Sequence, residues 1–436
     1  MFALSREWTY LNHGSYGATF KLALDAQAWL RYEMEAQPVL FMESTALDGV
    51  ARAAAQLAPL VGADWRDLVP ITNATGGINA VVNSLELGPG DLLVMANTTY
   101  PAVRSVLARA AARTGASLVD VAFTIDSLTD EGAIVDAFRE AAALGGGGGG
   151  GGGAGRSGGG GGGRRARGGR VRLAVVDHCV SFPPVVMPVA RICGALRALG
   201  VPVLVDGAHA LGAFAALDVP ALGCDYYVSN AHKWLCSPKG CAFLWAARRR
   251  QAGLRPLVTS HGCGLGFRGE FLWAGTTDPT PWLCVPACLA AVERLGGFAA
   301  VAAYNHALVC AAAELLRARW GVREPALGAR RDGGGTAGLA AVALPAPLLA
   351  PPPPDGDGAP AAAGAGGGGG GGLLPCTPEG AQRLQRHLRA AWRVEVPVAC
   401  VEGRLWCRVS AQVYNTLPQY EKLAEAVAQL RPPPGA

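Results

Sequence analysis

The sequence contains the stretch Val203-Leu-Val-Asp-Gly-Ala-His209, an apolar run that ends in an aspartate, followed downstream by Ser229-Asn-Ala-His-Lys-Trp234. Short apolar runs of this kind alternate with helical patterns from Ala74 to Trp245, which is typical of repeated βα units around a parallel sheet. Such open sheets bind ligands at the carboxyl ends of their strands. We therefore predict that Asp206 and Lys233 lie at one edge of an α/β sheet.

The remaining elements are predicted from the same periodicities. In the large region the strands are Leu92–Met95, Ser117–Ala122, Val171–Val176, Val201–Val205 and Tyr226–Val228, and the helices are Ile78–Leu87, Pro101–Arg113, Glu131–Leu144 and Val189–Leu199. In the carboxyl-terminal third, helices are expected near Val285–Trp320, Pro378–Ala391 and Gln419–Leu430, with strands near Leu339–Leu344, Val394–Val398 and Leu405–Val409. We expect a large domain over residues 1–284 and a smaller α+β domain over 285–436.

Glycine is unusually frequent, with 61 residues among 436. Eighteen of them lie in residues 145–169 and ten in the Pro/Ala/Gly-rich residues 345–372. The first tract also carries four arginines and the second two aspartates, so the chain outside them has a net charge of +3 rather than +5. A polyglycine segment forms too few stabilising contacts to offset the conformational entropy that it loses when it becomes ordered. We expect both tracts to be disordered insertions at the surface of an ordinary globular protein.

Composition also excludes several classes of protein. No segment approaches the roughly 18 consecutive apolar residues of a membrane span, and no basic, apolar and small-residue leader opens the sequence. No basic stripe interleaved with aromatic residues indicates nucleic-acid binding. The 12 cysteines lack zinc-site spacing and suit a reducing compartment. We expect a cytoplasmic protein that binds no metal, membrane or nucleic acid, with an organelle as the alternative if a leader precedes this sequence.

The two quoted stretches place an aspartate and a lysine at the same predicted sheet edge, and these two residue types act together on one kind of cofactor. A buried lysine with a lowered pKa is suited to form an imine with an aldehyde. An aspartate that faces a pyridine nitrogen keeps that ring protonated. Together Asp206 and Lys233 indicate pyridoxal phosphate.

Six segments, in order along the chain, resemble the class V aminotransferase-like enzymes, and more narrowly the isopenicillin N epimerase-like branch, which also holds cysteine desulfhydrase-type lyases. They are Tyr10-Leu-Asn-His-Gly-Ser-Tyr-Gly17, Asn73-Ala-Thr-Gly-Gly77, Asp206-Gly-Ala-His-Ala210, His232-Lys-Trp-Leu-Cys-Ser-Pro-Lys-Gly240, Gly275-Thr-Thr-Asp278 and Arg408-Val-Ser-Ala-Gln-Val-Tyr-Asn415. The resemblance implies a fold-type I pyridoxal 5′-phosphate enzyme. Such an enzyme has a mostly parallel sheet of the seven-stranded type in the large domain.

The resemblance also implies roles for single residues. Lys233 would hold the cofactor covalently and move the Cα proton, Asp206 would pair with the ring nitrogen, and His209 would lie beside the ring. The phosphate would lie at Ala74, Thr75 and Gly76 with His232 as a further donor, Tyr100 would stack on the ring, and Ser181 replaces the asparagine that relatives often place at the phenolic oxygen. Thr276, or Thr277, would reach the phosphate of a neighbouring subunit in a homodimer.

The substrate side of the site is implied in the same way. Arg408 would bind the α-carboxylate of an amino acid, and Asn12, His13 and His261 would line the pocket. On residue type alone other roles stay open, since Asn73-Ala-Thr is also a capped helix start and an aromatic such as Tyr100 is often a core residue.

The cofactor allows elimination, epimerisation or transamination after Cα loses its proton. We expect β-elimination of sulfide or a thiol from cysteine or a related amino acid, with an epimerase or an aminotransferase as the alternative. A desulfurase would also need a mobile nucleophilic cysteine. We interpret Cys376 and Cys400 instead as buried thiols without a catalytic role. A non-catalytic binding protein that keeps the fold is the alternative of a different class.

Overall fold

The computed structural model describes residues 1–144, 169–329, 337–350 and 374–430. The expectation of disordered insertions at 145–169 and 345–372 therefore falls mostly outside the described residues. The first residues of the second predicted insertion, however, lie within the described part of the chain and form regular elements. Ala346–Leu348 form a 3-10 turn, and Leu349–Ala350 pair in parallel with Leu374–Pro375. Leu348 is buried, so this apolar end belongs to the folded core.

The α-helices and β-strands are numbered in chain order. The strands are β1 Thr9–Tyr10, β2 Leu68–Ile71, β3 Leu92–Ala96, β4 Ser117–Val121, β5 Val171–Asp177, β6 Val203–Asp206, β7 Tyr226–Asn230, β8 Ala242–Ala246, β9 Leu339–Ala343, β10 Leu349–Ala350, β11 Leu374–Pro375, β12 Val394–Glu395, β13 Val398–Val401 and β14 Arg404–Ser410. The helices are α1 His13–Tyr16, α2 Lys21–Ala36, α3 Pro38–Leu40, α4 Ala46–Leu57, α5 Ala74–Asn83, α6 Pro101–Thr114, α7 Glu131–Ala143, α8 Val189–Ala198, α9 Ala231–Trp234, α10 Arg248–Gln251, α11 Gly266–Leu272, α12 Thr280–Leu283, α13 Val285–Glu293, α14 Gly297–Trp320, α15 Pro378–Trp392 and α16 Leu417–Ala428.

The large sheet has seven strands in the order β2-β8-β7-β6-β5-β3-β4. The pairs from β7 to β4 are parallel, and β8 is antiparallel to both β7 and β2. Alternate residues of β3 enter different cores, Leu93 and Met95 on one face and Val94 and Ala96 on the other. Helices therefore cover both faces, and the predicted α/β class with a mostly parallel sheet of seven strands is confirmed.

A smaller α+β unit follows. Its antiparallel sheet has the order β13-β14-β9, and helices α14, α15 and α16 pack with it around a separate core. The amino-terminal arm crosses to this unit, because β1 pairs with β12 and Leu11 is buried in the same core. The arm therefore bridges the two units, whereas the expected division placed all of residues 1–284 in the large domain.

Two predicted helices differ from the structure. The helix predicted at Ile78–Leu87 spans Ala74–Asn83, because the side chain of Asn73 accepts the Gly76 N–H and caps it early. The continuous helix expected near Val285–Trp320 is broken, because Gly296 and Gly297 take φ values of 92° and 85°.

Among the described helices, α14 is long and apolar enough to cross a membrane by length and composition. The core helix of a globular protein meets the same criterion. Here the buried residues of α14, such as Val309 and Leu316, pack in the core of the smaller unit.

Candidate active site

A cavity of about 560 Å3 lies at the carboxyl edge of the large sheet. Three neighbouring strands end there, β5 at Asp177, β6 at Asp206 and β7 at Asn230. The start of α5 and the arm residues Ser15 and Tyr16 form other parts of its wall. Eight predicted site residues line this one cavity: Ala74, Thr75, Tyr100, Ser181, Asp206, His209, His232 and Lys233.

Lys233 projects from the short helix α9, which directly follows strand β7. Burial, and then the nearby charge of Arg408, lower the pKa of its ammonium group to about 8. The Nζ atom lies 3.2 Å from Nε2 of His209. A lysine held in this way presents a neutral amine to the cavity near neutral pH far more often than an exposed lysine does.

Asp206 and His209 occupy the end of β6 and the turn after it. Burial raises the pKa of the Asp206 carboxyl, and the Oδ1 atom accepts the N–H of Ala208 at 3.0 Å. Burial and the charges of Lys233 and Arg408 hold the pKa of His209 well below its ordinary value, so its ring is neutral. The indole N–H of Trp234 donates to His209 Nδ1 at 3.5 Å, which leaves the ring proton on Nε2, towards Lys233.

Arg408 lies on β14 of the smaller unit, with only 4% of its surface exposed. Its two terminal nitrogens donate to neutral oxygens: Ser181 O at 2.7 Å and Oγ at 3.0 Å, Asn12 Oδ1 at 3.0 Å, and Ser15 Oγ at 3.1 Å. Its Nε is buried without a partner. No carboxylate of the described residues pairs with Arg408, and burial lowers the pKa of its guanidinium to about 10. A buried cation without a counter-ion is suited to receive a ligand carboxylate.

The start of α5 provides few free donors. The N–H of Ala74 is bound by Asn230 Oδ1 at 2.9 Å, and that of Gly76 by Asn73 Oδ1 at 2.8 Å. Gly76 also does not line the cavity, because it lies behind this cap. Thr75 therefore offers the free backbone donor and hydroxyl that an anion at a helix start requires.

His232 lies beside this end of the cavity. Its Nδ1–H donates to the carbonyl of Cys241 at 3.0 Å, and burial lowers the pKa of the ring to about 4. Nε2 is therefore an acceptor while the ring is neutral. His232 donates to a phosphate there only if that dianion raises the pKa of the ring enough to protonate Nε2.

The structure places six predicted residues outside the cavity lining: Asn12, His13, Gly76, His261, Thr276 and Arg408. His13 is fully buried and contacts Tyr414 Oη at 2.9 Å and the carbonyl of Lys233 at 3.0 Å, so it supports the backbone of Lys233 from behind. Asn12 is also buried, and its Oδ1 accepts from Arg408 at 3.0 Å and from the hydroxyl of the lining residue Ser15 at 2.6 Å. His261 and Thr276 are exposed in loops, as is the alternative Thr277.

The cavity contains one cysteine, Cys179. Burial raises the pKa of its thiol to about 12, so the sulfur stays protonated and weakly nucleophilic. Cys400 donates its thiol to the carbonyl of Cys376 at 3.0 Å, and neither residue lines the cavity.

Several lining residues were not predicted. Asp177 and Asn230 end the strands on either side of β6, so the rule that ligands bind at strand ends would have found both. Lys239 follows the Lys233 motif in sequence and also lines the cavity. Ser15 and Tyr16 come from the amino-terminal arm and carry no local signal, because their neighbours are distant in sequence.

Comparison with protein families identifies residues 166–332 as matching the model of class V aminotransferases. An L-cysteine desulfhydrase of Arabidopsis thaliana is 28% identical, over 96% of this chain and 87% of its own length. A putative L-cysteine desulfhydrase 1 of Oryza sativa subsp. japonica is 30% identical, over 96% and 82%. An isopenicillin N epimerase of Amycolatopsis lactamdurans is 29% identical, over 97% and 95%.

Solved structures share the whole fold at low identity. The cystine C-S lyase C-DES, in complex with cysteine persulfide, superposes with a TM-score of 0.71 at 17% identity, over 98% of this chain and 99% of that one. A cysteine desulfurase of Escherichia coli gives a TM-score of 0.66 at 18% identity, over 98% and 96%.

Proposed function

Because this chain belongs to the class V aminotransferase family of pyridoxal phosphate enzymes, we propose that it eliminates sulfide or a thiol from cysteine or a related amino acid. With cysteine, one water is consumed, and sulfide, pyruvate and ammonia are the products. Membership rests on the 30% identity to the rice protein along nearly the whole chain. The fold is that of the fold-type I enzymes, and pyridoxal 5′-phosphate is the cofactor.

The residues of the cavity fit this cofactor. Lys233 offers an amine of lowered pKa, and Asp206 offers a buried carboxyl that feels the charge of Lys233. Thr75 offers free donors at a helix start, where a phosphate is favoured. Tyr100 lines the same cavity with 45% of its surface exposed, which leaves its ring free to stack.

The bound cofactor withdraws electrons from Cα of an amino acid, so that the Cα proton becomes acidic and a β-substituent is expelled. The chain's own residues do the rest. Arg408 attracts the α-carboxylate through its charge, which no counter-ion in the described part of the chain compensates, and through its unpartnered Nε–H, and so holds Cα near Lys233. Lys233 accepts the Cα proton at Nζ, and His209 orients that amine through Nε2.

The unpaired, buried Arg408 beside the Lys233 cavity is the observation that carries the proposal. It requires an anionic ligand, and an amino-acid carboxylate has the right geometry for it. The protonated Cys179 also favours release of sulfur as sulfide over its capture by an enzyme thiolate.

Epimerisation is the second candidate, because an isopenicillin N epimerase matches this chain over nearly its full length. It would require a second acid that returns the proton to the opposite face of Cα. Measuring the release of sulfide and pyruvate from cysteine separates elimination from epimerisation.

We further propose that the enzyme is a homodimer with shared active sites. The exposed loop that carries Thr276 and Thr277 lies outside the chain's own cavity and is linked to α2 by the Arg31–Asp278 ion pair at 2.8 Å. Helix α2 also exposes Trp29 and Tyr32, at 60% and 79% of their surface. Large exposed aromatic side chains are typical of protein interfaces.

The test is to incubate the purified protein and Lys233→Ala with cysteine and pyridoxal phosphate. We expect wild type to release sulfide and pyruvate in equal amounts, and Lys233→Ala to release neither. The visible absorbance of lysine-bound cofactor should appear in wild type alone. Wild type that binds the cofactor yet releases neither product would exclude elimination from cysteine.

A further inference from the structure

A second carboxyl group lies next to Asp206 at the floor of the cavity. Strand β5 ends at Asp177, which pairs in parallel register with Asp206 at the end of β6. Neighbouring strands are about 4.8 Å apart, and paired residues of parallel strands face the same side of the sheet. Both residues line the cavity, and each has 5% of its surface exposed.

Neither carboxyl group forms an ion pair with any of the described residues. Asp206 accepts the Ala208 N–H, and Asp177 is bound by the hydroxyl of Thr99, whose Oγ also accepts the Ala96 N–H at 3.1 Å. The cations of the cavity have other contacts, Lys233 with His209 and Arg408 with neutral oxygens. Two adjacent carboxylates without cations are strongly unfavourable in a buried site.

Lys233 supplies part of the missing charge to Asp206, because it lowers the pKa of that carboxyl, whereas no nearby cation of the described residues lowers the pKa of Asp177. Burial lowers the pKa of His178 to about 4 and that of His209 well below its usual range, so both rings are neutral. Burial raises the pKa of Cys179 and of Tyr227, which are neutral as well. Beyond the pair, the charged groups are therefore Lys233 and Arg408, together with Lys239 at the cavity wall.

We propose that Asp177 and Asp206 share one proton, with Asp206 as the carboxylate that meets the cofactor ring and Asp177 as the neutral acid beside it. The inference rests on the proposed function, which places the ring nitrogen at Asp206. The pair then carries one negative charge, which matches the one positive charge of a protonated ring nitrogen. Asp177 is a positioning residue that acts through Asp206.

The electrostatics agree with this assignment. Burial and the charge of Asp206 raise the pKa of Asp177 well above the ordinary range of an aspartate. Two interacting carboxyl groups lose their protons in two separate steps that belong to the pair. The charge of Asp206 acts on Asp177 in addition to burial, whereas the charge of Lys233 lowers the pKa of Asp206, so we assign the proton that is lost last to Asp177.

The test is a difference infrared spectrum between wild type and Asp177→Asn, recorded on the full-length chain at neutral pH with and without pyridoxal phosphate. We expect wild type to show the carbonyl stretch of a protonated carboxylic acid, which Asp177→Asn lacks. Asp225→Asn is the control, since Asp225 is equally buried but pairs with Arg249 and Arg250 at 2.9 and 2.7 Å. It should lose a carboxylate stretch instead. Loss of only a carboxylate stretch in Asp177→Asn would overturn the proposal.

Urea unfolding gives a second readout. An acid that stays neutral in the folded state binds its proton more tightly there than in the unfolded state. Wild type should therefore lose stability relative to Asp177→Asn as the pH rises above about 4, the unfolded pKa of aspartate. A difference that is constant with pH would contradict the shared proton. Asp177→Ser serves the same comparisons if Asp177→Asn does not fold. Neither the infrared nor the unfolding measurement requires substrate. Both can therefore contradict the shared proton even if the enzyme releases sulfide as proposed.

Discussion

Arg408 shows how a single residue prepares this cavity for an anion. Burying a charge costs several kcal/mol unless a partner compensates it, and here the partners are the neutral oxygens of Ser181, Asn12 and Ser15. They hold the guanidinium in place without neutralising it. A substrate carboxylate supplies the missing negative charge. The free energy of that contact stabilises the bound substrate with Cα in a fixed position.

Replacing Arg408 by glutamine should therefore lower kcat/KM for cysteine by about 100-fold, the effect of losing charge-assisted hydrogen bonds worth about 3 kcal/mol. The loss should fall mainly on KM. The matched control is Arg404→Gln on the same strand, whose ion pair with Glu324 lies away from the cavity. Steady-state kinetics of both variants check this, and equal losses in the two would contradict the role of Arg408.

Lys233 gives a prediction on pH. The cofactor aldehyde reacts with the neutral amine, so the rate of covalent attachment rises with pH and levels off above the pKa of the amine, about 8 rather than 10.5. The charge of Arg408 contributes to that lowering, so Arg408→Gln should move the midpoint upward. Stopped-flow absorbance after mixing with pyridoxal phosphate measures both midpoints. A wild-type midpoint near 10 would show that Lys233 is not buried as described.

At the scale of elements, the amino-terminal arm holds the catalytic helix in place. The arm passes so close over α9 that a Cβ on Gly17 would lie 2.2 Å from the carbonyl oxygen of His232 and 2.8 Å from Cα of Lys233. Gly17 also takes a φ of 71°, which strains any other residue. Glycine is thus required where the arm meets the backbone of Lys233.

Gly17→Ala should destabilise the protein by about 2 kcal/mol or more, because it combines backbone strain with a backbone clash. It should also weaken cofactor binding, since α9 must shift. The control is Gly88→Ala, where a Cβ would meet nothing within 4 Å and the change should stay within about 0.5 kcal/mol. Urea unfolding of both variants, with and without cofactor, measures the difference. Equal stabilities would refute the tight packing of the arm.

The sequence predicted the elements that local patterns encode. Strand β6 and the Lys233 segment are recognisable because strand, turn and functional residue follow each other directly. Strand β2 was missed because Pro70 argues against a strand, yet β2 is an edge strand, where a missing N–H is tolerated. The contact between Asn12 and Arg408 spans 396 residues of sequence. No local pattern reports such a pair, so the family resemblance rather than periodicity placed Arg408 in the site.

At the scale of the whole molecule, the cavity joins three parts of the chain. The large sheet supplies Asp206 and Lys233, the arm supplies Ser15, and the smaller unit places Arg408 directly behind Ser15 and Ser181 of the cavity wall. Thr276 and Thr277 are exposed and do not line the cavity of their own chain, which is why we propose that a second subunit completes it.

Mixed dimers test that proposal. Lys233→Ala should be inactive and the double variant Thr276→Val/Thr277→Val only weakly active, because each change is present in every site of its own dimer. A heterodimer carries both changes in one site and neither in the other. Equal mixing after reversible dissociation should therefore restore about a quarter of wild-type activity. Activity that stays at the average of the two variants would show that each subunit works alone.

The central claim is that this cavity breaks the C–S bond of a thiol amino acid after Lys233 removes its Cα proton. One incubation with L-cysteine in D2O measures sulfide, pyruvate, and the deuterium content and chirality of the remaining cysteine. We predict equal amounts of sulfide and pyruvate, both abolished in Lys233→Ala, and remaining cysteine that keeps its L configuration. Deuterated, racemised cysteine without sulfide or pyruvate would contradict the claim and identify an epimerase.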